Sequence, residues 1–209
     1  MKDNAGDSGR LLVEAEQIFI KDGALIFSTT HGKGQSGSIT LHASNIGITG
    51  TNKTGGGSNI RVSVHDESNG GDGGLIKIET QALLLADGGV ILGLAHGPGK
   101  GSDITIHATG TITVIGADAK GESSGIDSSS NPKLGPGGKL EPSRTLIAGP
   151  AGDITLDVKK LILGEGGRIS SSSFTTVKPF KSSQGGDIFI RAESIEMVGV
   201  NPYGENVEG

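Results

Sequence analysis

The segment GDITLDVKKLILGEGG, Gly152–Gly167, decides the fold of this chain. Apolar residues in it alternate with polar ones, which is the pattern of half-buried β-strands. They are Ile154, Leu156 and Val158 in a first run, then Leu161 and Leu163 in a second. The glycine pair Gly166-Gly167 ends the second run. The segment therefore predicts two short strands followed by a glycine corner.

The same two-strand phrase recurs along the chain. It starts at Gly9, Gly37, Gly74, Ser102, Gly152 and Gly186. A third short strand is predicted after each of the first five phrases, with inward residues Ile26, Ile60, Ile91, Ile126 and Ile169. In the first phrase, Leu25 and Phe27 are an alternative inward pair to Ile26. A single repeat of this kind cannot bury its apolar face, whereas stacked repeats form a continuous core.

We therefore predict an all-β fold, a single-stranded right-handed parallel β-helix with three short strands per coil and about six coils. The coils are numbered by the six phrase starts. Each strand pairs with its equivalent in the next coil, about 4.8 Å away, and parallel crossovers are almost always right-handed. The fourth coil needs one extra residue to stay in register, which a bulge at Gly110 supplies.

The stacking predicts five inward columns of side chains. The first-strand columns are Leu11, Ile39, Ile76, Ile104, Ile154, Ile188; Val13, Leu41, Ile78, Ile106, Leu156, Ile190; and Ala15, Ala43, Thr80, Ala108, Val158, Ala192. The second-strand columns are Ile18, Ile46, Leu83, Ile112, Leu161, Ile195; and Ile20, Ile48, Leu85, Val114, Leu163, Met197.

Composition narrows the function classes. The 209 residues include 38 Gly and no Cys, and 33% are hydrophobic. The glycines do not fall at every third position, which excludes collagen, and a net charge of −5 argues against a nucleic-acid partner. No cofactor motif is present, so no cofactor is expected. An interior-looking start at Met1 predicts that residues 1–209 are a single β-helix fragment of a longer repeat protein.

The longest interruption of the repeats, residues 131–146, is predicted to be a projecting loop between the fourth and fifth coils. It is either a tolerated insertion or a recognition loop. Its candidate contact residues are Asn131, Lys133, Lys139 and Arg144.

One outward column carries alternating charge: Glu14, His42, Glu79, His107, Asp157 and Arg191. The same residue types bind zinc, but tetrahedral coordination needs donors that converge, and these lie in a line along the rod. We interpret the column as a ladder of complementary surface charge, in which each pair contributes at most about 1 kcal/mol.

A second column is acidic in three consecutive coils, at Asp103, Asp153 and Asp187. Each Asp directly precedes a first strand, where a carboxylate can accept hydrogen bonds from backbone N–H groups of a turn. The alternative is a metal site, because three close carboxylates repel one another unless a cation neutralises them.

The phrase GDITLDVKKLILGEGGRISSSS, together with Ile112–Ser130 and Ile195–Gly209, resembles the repeats of the filamentous-haemagglutinin-like adhesins. These are large bacterial exoproteins of the two-partner secretion route, and the cyanobacterial members are the most similar. The resemblance implies an elongated, secreted or cell-surface rod that presents loops for surface attachment. It implies an outer-membrane transporter as partner during secretion and a host surface, neighbouring-cell surface or glycan as target. No catalytic residues transfer, so the chain is expected to be structural and adhesive rather than enzymatic.

The alternative function is a polysaccharide-binding or polysaccharide-cleaving β-helix, either a lyase or a glycoside hydrolase. Such an enzyme needs acids and bases that converge on one face. Separately, the first and last coils are expected to expose unpaired strand edges, which predicts end-to-end self-association.

Overall fold

The computed structural model describes residues 6–31, 33–65, 70–131, 148–174 and 183–199. These residues form strands, turns and extended segments. The strands are β1 Arg10–Glu14, β2 Gln17–Lys21, β3 Leu25–Thr30, β4 Ser38–Thr49, β5 Asn59–Val64, β6 Leu75–Ala86, β7 Val90–Ala95, β8 Asp103–Ile115, β9 Gly125–Ser130, β10 Ile154–Gly164, β11 Arg168–Ser173 and β12 Ile188–Val198.

All strand pairs are parallel and join equivalent positions of successive coils. One sheet has the order β1-β4-β6-β8-β10-β12, with β2 also paired to β4, and a second sheet has the order β11-β9-β7-β5-β3. The predicted all-β parallel solenoid is therefore confirmed, while the count of six coils stays a prediction. Over the part of the chain with described structure, no helix is long and apolar enough to span a membrane.

The predicted inward columns are the observed ones. In the first column, Ile39 pairs with Ile76, Ile76 with Ile104, and Ile104 with Ile154. All four side chains have 0% exposure. The second-strand columns align in the same way and complete one continuous aliphatic core. Burial of apolar surface at about 25 cal/mol per Å² makes this core the main source of stability.

The prediction of three short strands per coil is wrong in one respect. From the second coil onward, the first two strands run as one continuous strand, and only β1 and β2 are separate. The alternation of inward and outward residues is interrupted after Ala43, since Ser44 and Asn45 are both exposed before the buried Ile46. Hydrogen bonding persists through this interruption, since both Ser44 N and Asn45 N donate to Glu16 O, at 3.0 and 3.3 Å.

The third strands have the predicted register. Ile26 pairs with Ile60, and the column continues through the later coils to Ile169. Of the two alternatives for the first coil, Ile26 faces the core, whereas Leu25 and Phe27 are 50% and 57% exposed.

The predicted bulge in the fourth coil is present. The register shifts after the pair Thr80–Ala108, so that Ala82 pairs with Thr111. A Cβ atom at Gly110 would lie 2.7 Å from Gln81 O. Only glycine lets the extra residue pass this close to the neighbouring backbone.

Corners between the second and third strands alternate between two lengths. In the third coil, Asp87 and Gly88 have φ of 52° and 82°, and Gly89 N donates to Ala86 O at 2.9 Å, which is a type I′ turn. The first and fifth coils have the same two-residue corner. The second and fourth coils instead carry small hairpins, residues 51–57 and 117–123, each closed by an antiparallel bridge.

The phrase-start glycines set how closely the coils approach. A Cβ at Gly37 would lie 1.8 Å from Gly9 O, and one at Gly186 would lie 2.1 Å from Gly152 O. A side chain at Gly37 or Gly186 would collide with this backbone while the coils keep the spacing of a hydrogen-bonded ladder. Gly9 itself, in the first coil, has no atom within 4 Å of such a Cβ.

Candidate functional site

The charge ladder forms in the predicted order along the outer face of the first sheet. Strand pairing places its members in consecutive register: Glu14, His42, Glu79, His107, Asp157, Arg191. His42 Nδ1 lies 2.9 Å from Glu79 Oε2, and His107 Nδ1 lies 3.5 Å from Asp157 Oδ2. The donors lie in a line rather than around a centre. Across the described chain, no group of three or more His, Cys, Asp or Glu side chains is arranged to hold a metal ion.

Glu79 is the electrostatic centre of this ladder. Lys77, from the neighbouring outward column, places Nζ 2.6 Å from Glu79 Oε1. Its hydrogen bond is the main cause that lowers the pKa of Glu79, and the charges of Lys77, His42 and His107 lower it further. The Glu79 carboxylate is well hydrated, so the ladder contributes little to stability. Its main effect is to set the sign of the surface charge on each successive coil.

A shallow cavity of about 360 Å³ lies beside the part of the ladder that belongs to the fourth, fifth and sixth coils. Its charged lining comes from His107, Asp157, Lys159, Arg191 and Glu193. Arg191 NH1 lies 3.9 Å from Asp157 Oδ2. The cavity thus combines positively charged hydrogen-bond donors and negatively charged acceptors in one depression. This combination suits a ligand that is polar and either uncharged or zwitterionic. Sequence patterns placed three of these residues in the ladder but did not indicate the depression.

The acidic column Asp103, Asp153, Asp187 is occupied by hydrogen bonds between coils. Asp103 Oδ1 accepts from Asp153 N, and Asp153 Oδ1 accepts from Asp187 N, both at 2.8 Å. Lys100 Nζ lies 2.8 Å from Asp103 Oδ1 and 2.9 Å from Asp153 Oδ2. Backbone N–H groups therefore account for the carboxylates of Asp103 and Asp153, although each N–H belongs to the next coil rather than to the same turn, and Lys100 places a positive charge beside both.

The pKa values of this column follow from those contacts. The backbone N–H of Asp187, followed by Lys100, lowers the pKa of Asp153. Hydrogen bonds to Asp103 and Asp153 raise the pKa of Lys100. Asp153 and Lys100 are therefore held in their charged forms at neutral pH, so the Asp153 carboxylate is not poised as a general acid.

Only one of the four candidate contact residues in the long loop belongs to the described structure. Asn131 Oδ1 lies 2.7 Å from His96 Nδ1 at the end of the third strand. Lys133, Lys139 and Arg144 lie outside the described residues, as does most of the predicted loop 131–146.

A column of histidines was not found by the sequence analysis. The His31 and His65 rings stack with centroids 5.3 Å apart, and the His65 and His96 rings lie 4.8 Å apart. Each histidine follows the last residue of a third strand. Extending the third-strand register by one residue would therefore have revealed the column.

An apolar depression of about 380 Å³ lies on the outer face of the second-strand region. Phe19, Gly47 and Leu84 lie in register across it, and the two side chains are 56% and 39% exposed. A Cβ at Gly47 would lie 3.0 Å from the Phe19 ring, so glycine keeps the depression open. Exposed apolar surface of this kind is typical of contact sites.

Comparisons with known proteins returned no match: neither a family model, nor a curated protein, nor a solved structure resembles the chain significantly.

Proposed function

We propose that this chain is a structural and adhesive segment of a large secreted or cell-surface bacterial exoprotein. It acts as an elongated rod that holds outward columns and loops in place for surface attachment. The extracellular location, the outer-membrane transporter as secretion partner and the adhesive role rest on the sequence resemblance described above.

The observation that carries the proposal is the continuous stacking of equivalent residues. Every described coil rests on the next through parallel hydrogen bonds and fully buried Ile and Leu side chains. Parallel ladders with no loops through the core keep outward residues at a fixed spacing of about 4.8 Å. A surface held this way is suited to repeated weak contacts along the rod, where avidity replaces the affinity of one deep site.

The outer face supplies two surfaces for such contacts. The depression at Phe19 and Leu84 is apolar, and the cavity at His107 and Arg191 is charged. The first suits apolar or aromatic groups, and the second suits hydroxyl-rich or zwitterionic groups. Both are lined by strands of the first sheet.

A polysaccharide-binding or polysaccharide-cleaving β-helix remains the second candidate. The cavity that includes Asp157 and Glu193 favours it, because two carboxylates beside a histidine and an arginine could bind sugar hydroxyls. Cleavage would need one carboxylate on each side of the scissile bond.

Bead retention tests the adhesive function. Beads coated with the native chain should be retained on bacterial or epithelial cell layers, and beads coated with the heat-denatured chain should be washed off. Retention should fall when Phe19→Ser and Arg191→Ser are combined, and it should persist when Lys53→Ser and Glu122→Ser, which lie on the corner hairpins, are combined. Equal retention of native and denatured chains contradicts the proposal.

A polysaccharide panel separates the two candidates. The adhesive segment should release no new reducing ends and no unsaturated products from any polysaccharide. Product release that is lost in Asp157→Asn would replace the adhesive proposal with the enzymatic one.

A further inference from the structure

An outward column of the second-strand region contains a gap between two large apolar side chains. Strand pairing places Phe19, Gly47 and Leu84 in register, so that a residue without a side chain lies in the middle. Phe19 and Leu84 are therefore two ladder steps apart, about 9.6 Å. The apolar depression of about 380 Å³ lies at this gap. A coil placed before the first one would lie beyond Phe19 and would not cover Gly47 or Leu84.

The Phe19 ring presents one face to the depression. Its Cδ1 and Cε1 atoms lie 3.0 and 3.3 Å from the Cβ position of Gly47, so one edge of the ring rests over the glycine. Lys21 Nζ lies over the ring, 4.8 Å from its centroid, and Lys21 is not among the residues that line the depression. Gln17, on the other side of Phe19 along β2, does line it. The face of the ring opposite Lys21 is therefore the one that a ligand in the depression contacts.

Uncharged polar side chains flank the apolar centre. Gln17 and Asn45 are a register pair in the adjacent outward column, and both residues are exposed. Thr111 and Thr113, from the fourth coil, line the far side. Amide and hydroxyl groups can both donate and accept hydrogen bonds. The depression thus combines an aromatic face with uncharged hydrogen-bonding groups at its edge.

Charge distinguishes this depression from the cavity at His107 and Arg191. None of the described residues that line the depression is charged, although 20% of the residues of the chain are. Lys160 follows Thr111 in register, but its Nζ lies 2.8 Å from Glu196 Oε2, so its charge is already paired. An ionised ligand group would lose hydration in the depression without gaining an ion pair from its lining. The lining therefore favours a neutral occupant.

We propose that this depression binds a neutral sugar ring of a polysaccharide, with the C–H face of the ring stacked on Phe19. The inference rests on the proposed attachment function and names the chemical class of its target. A pyranose ring with only equatorial hydroxyl groups, such as β-linked glucose, has flat faces of C–H groups. The polarised hydrogens of such a face are attracted to the negative face of an aromatic ring.

The polar edge favours a sugar over an apolar protein side chain. Equatorial hydroxyl groups point outward from the edge of the sugar ring, towards the amides of Gln17 and Asn45. A sugar ring therefore meets the aromatic face and the amides at the same time. An apolar side chain would fill the centre but would give the amides no hydrogen-bond partner.

Binding of cellohexaose, a neutral chain of β-linked glucose, tests the proposal on the whole chain. Titration calorimetry should detect binding, and NMR spectra should show shifts concentrated at the amides of Gly47, Ala82 and Leu84. Cellohexaose oxidised to a carboxylate at C6 of each ring should bind at least about tenfold more weakly. Absence of cellohexaose binding, stronger binding of the oxidised chain, or shifts concentrated elsewhere overturns the proposal.

Two variants change the volume of the depression in opposite directions, and both should lose binding. Phe19→Ala removes the stacking face and Gly47→Val fills the gap, so each should weaken cellohexaose binding at least about tenfold. Gly47 does not have a positive φ, and the side chain nearest to its Cβ position is the exposed Phe19 ring, so the strand accommodates valine. Circular dichroism of each variant establishes that the strands are retained.

Phe27→Ala is the matched control for Phe19→Ala. The two phenylalanines are 57% and 56% exposed, and each lies beside a cation, but Phe27 belongs to the second sheet. Phe27→Ala should bind cellohexaose as the original chain does. Equal binding by Phe19→Ala and the original chain, or an equal loss in both phenylalanine variants, refutes the proposed site.

Asn45→Ala tests the hydrogen-bonding edge. It should weaken cellohexaose binding about fivefold, because a hydrogen bond to a sugar hydroxyl is lost. Ser44→Ala, at the preceding exposed residue outside the lining, should leave binding unchanged. Unchanged binding by Asn45→Ala would overturn the arrangement in which the amide bonds the sugar.

Bead retention separates failure of this inference from failure of the attachment function. Beads retained on cells by a chain that does not bind cellohexaose would refute the sugar site and leave attachment standing. Beads washed off although the chain binds cellohexaose at Phe19 would refute attachment and support the sugar site.

Discussion

Gly152→Ala is the sharpest test of how the coils are spaced. A Cβ at this position would lie 2.3 Å from Ser102 O and 2.5 Å from Ser102 C. Both contacts are backbone atoms of the preceding coil, so no side chain can rotate away to make room. The glycine does not adopt a positive φ, so the expected cost is steric and arises between coils.

The magnitude follows from the movement that relieves the contact. Ordinary contacts of this kind begin near 3.4 Å, so the two coils must separate locally by about 1 Å. Ile104 N and Asp153 O now lie 2.8 Å apart, and the same separation would carry them beyond hydrogen-bonding distance. Overpacking costs about 1–3 kcal/mol, and each lost hydrogen bond adds about 1 kcal/mol. We expect Gly152→Ala to lower the free energy of unfolding by about 2–4 kcal/mol.

Gly9→Ala is the matched control, because it makes the same change at the same phrase position with no coil against it. Its free energy of unfolding should stay within about 0.5 kcal/mol of the original. Urea denaturation followed by circular dichroism, at protein concentrations where the chain is monomeric, compares the two. Equal destabilisation by both variants would refute the view that these glycines are required by the spacing of coils.

Three further substitutions test the core and the ion pairs. Ile106→Ala, at a fully buried position, should lower the free energy of unfolding by about 2–5 kcal/mol in urea denaturation, and an unchanged midpoint would contradict the buried column. Lys100→Met should be less stable than the original between about pH 4 and pH 10.5, measured as the urea midpoint against pH. The difference in stability between the two chains should disappear below that window, because Asp153, whose pKa is lowered from 3.8, becomes protonated there. It should also disappear above the window, because Lys100, whose pKa is raised from 10.5, loses its proton. Lys77→Met should raise the pKa of the Glu79 carboxyl towards its ordinary value, because the hydrogen bond from Lys77 is the main cause that lowers it; an unchanged pKa in an NMR titration of that carboxyl would contradict the contact.

The stacking was predictable because the core of this fold repeats a simple pattern. Alternating Ile, Leu and Val set which residues face inward, and a shift of one residue would turn every side chain to the wrong face. The bulge at Gly110 followed from counting residues between aligned columns. The joining of the first two strands was missed, because a pair of outward residues such as Ser44 and Asn45 looks like a turn in the sequence. Whether their N–H groups still find a ladder partner depends on the coil beside them.

Some of the outward sites could also be predicted from the sequence, and others could not. The charge ladder was predictable because it shares the register of the core. Lys100 was not linked to Asp153, because it lies in a corner where no alternation indicates direction and its partner is 53 residues away. Likewise, the hydrogen bond from Lys120 Nζ to Thr54 O joins two hairpins across a coil whose own corner is short. The lengths of the corners, rather than the residue types in them, bring these two groups within hydrogen-bonding distance.

One corner shows why aligned columns describe this chain incompletely. In the fourth coil, the third-strand residue Ser128 accepts the N–H of the next phrase start, Gly152, at 2.9 Å. In the third coil the two residue types are exchanged: the third strand carries Gly93 and the next phrase starts with Ser102. A Cβ at Gly93 would lie 2.5 Å from Ser102 O and 3.0 Å from Ser102 Cβ, so a side chain there would collide with both the backbone and the side chain of Ser102. Ser102 Oγ then bonds Val62 O at 3.2 Å, which keeps the hydroxyl satisfied inside the corner. The space in a corner is therefore shared by a third-strand residue and the start of the next phrase. An aligned column follows only one of these two positions, so it does not reveal the constraint between them.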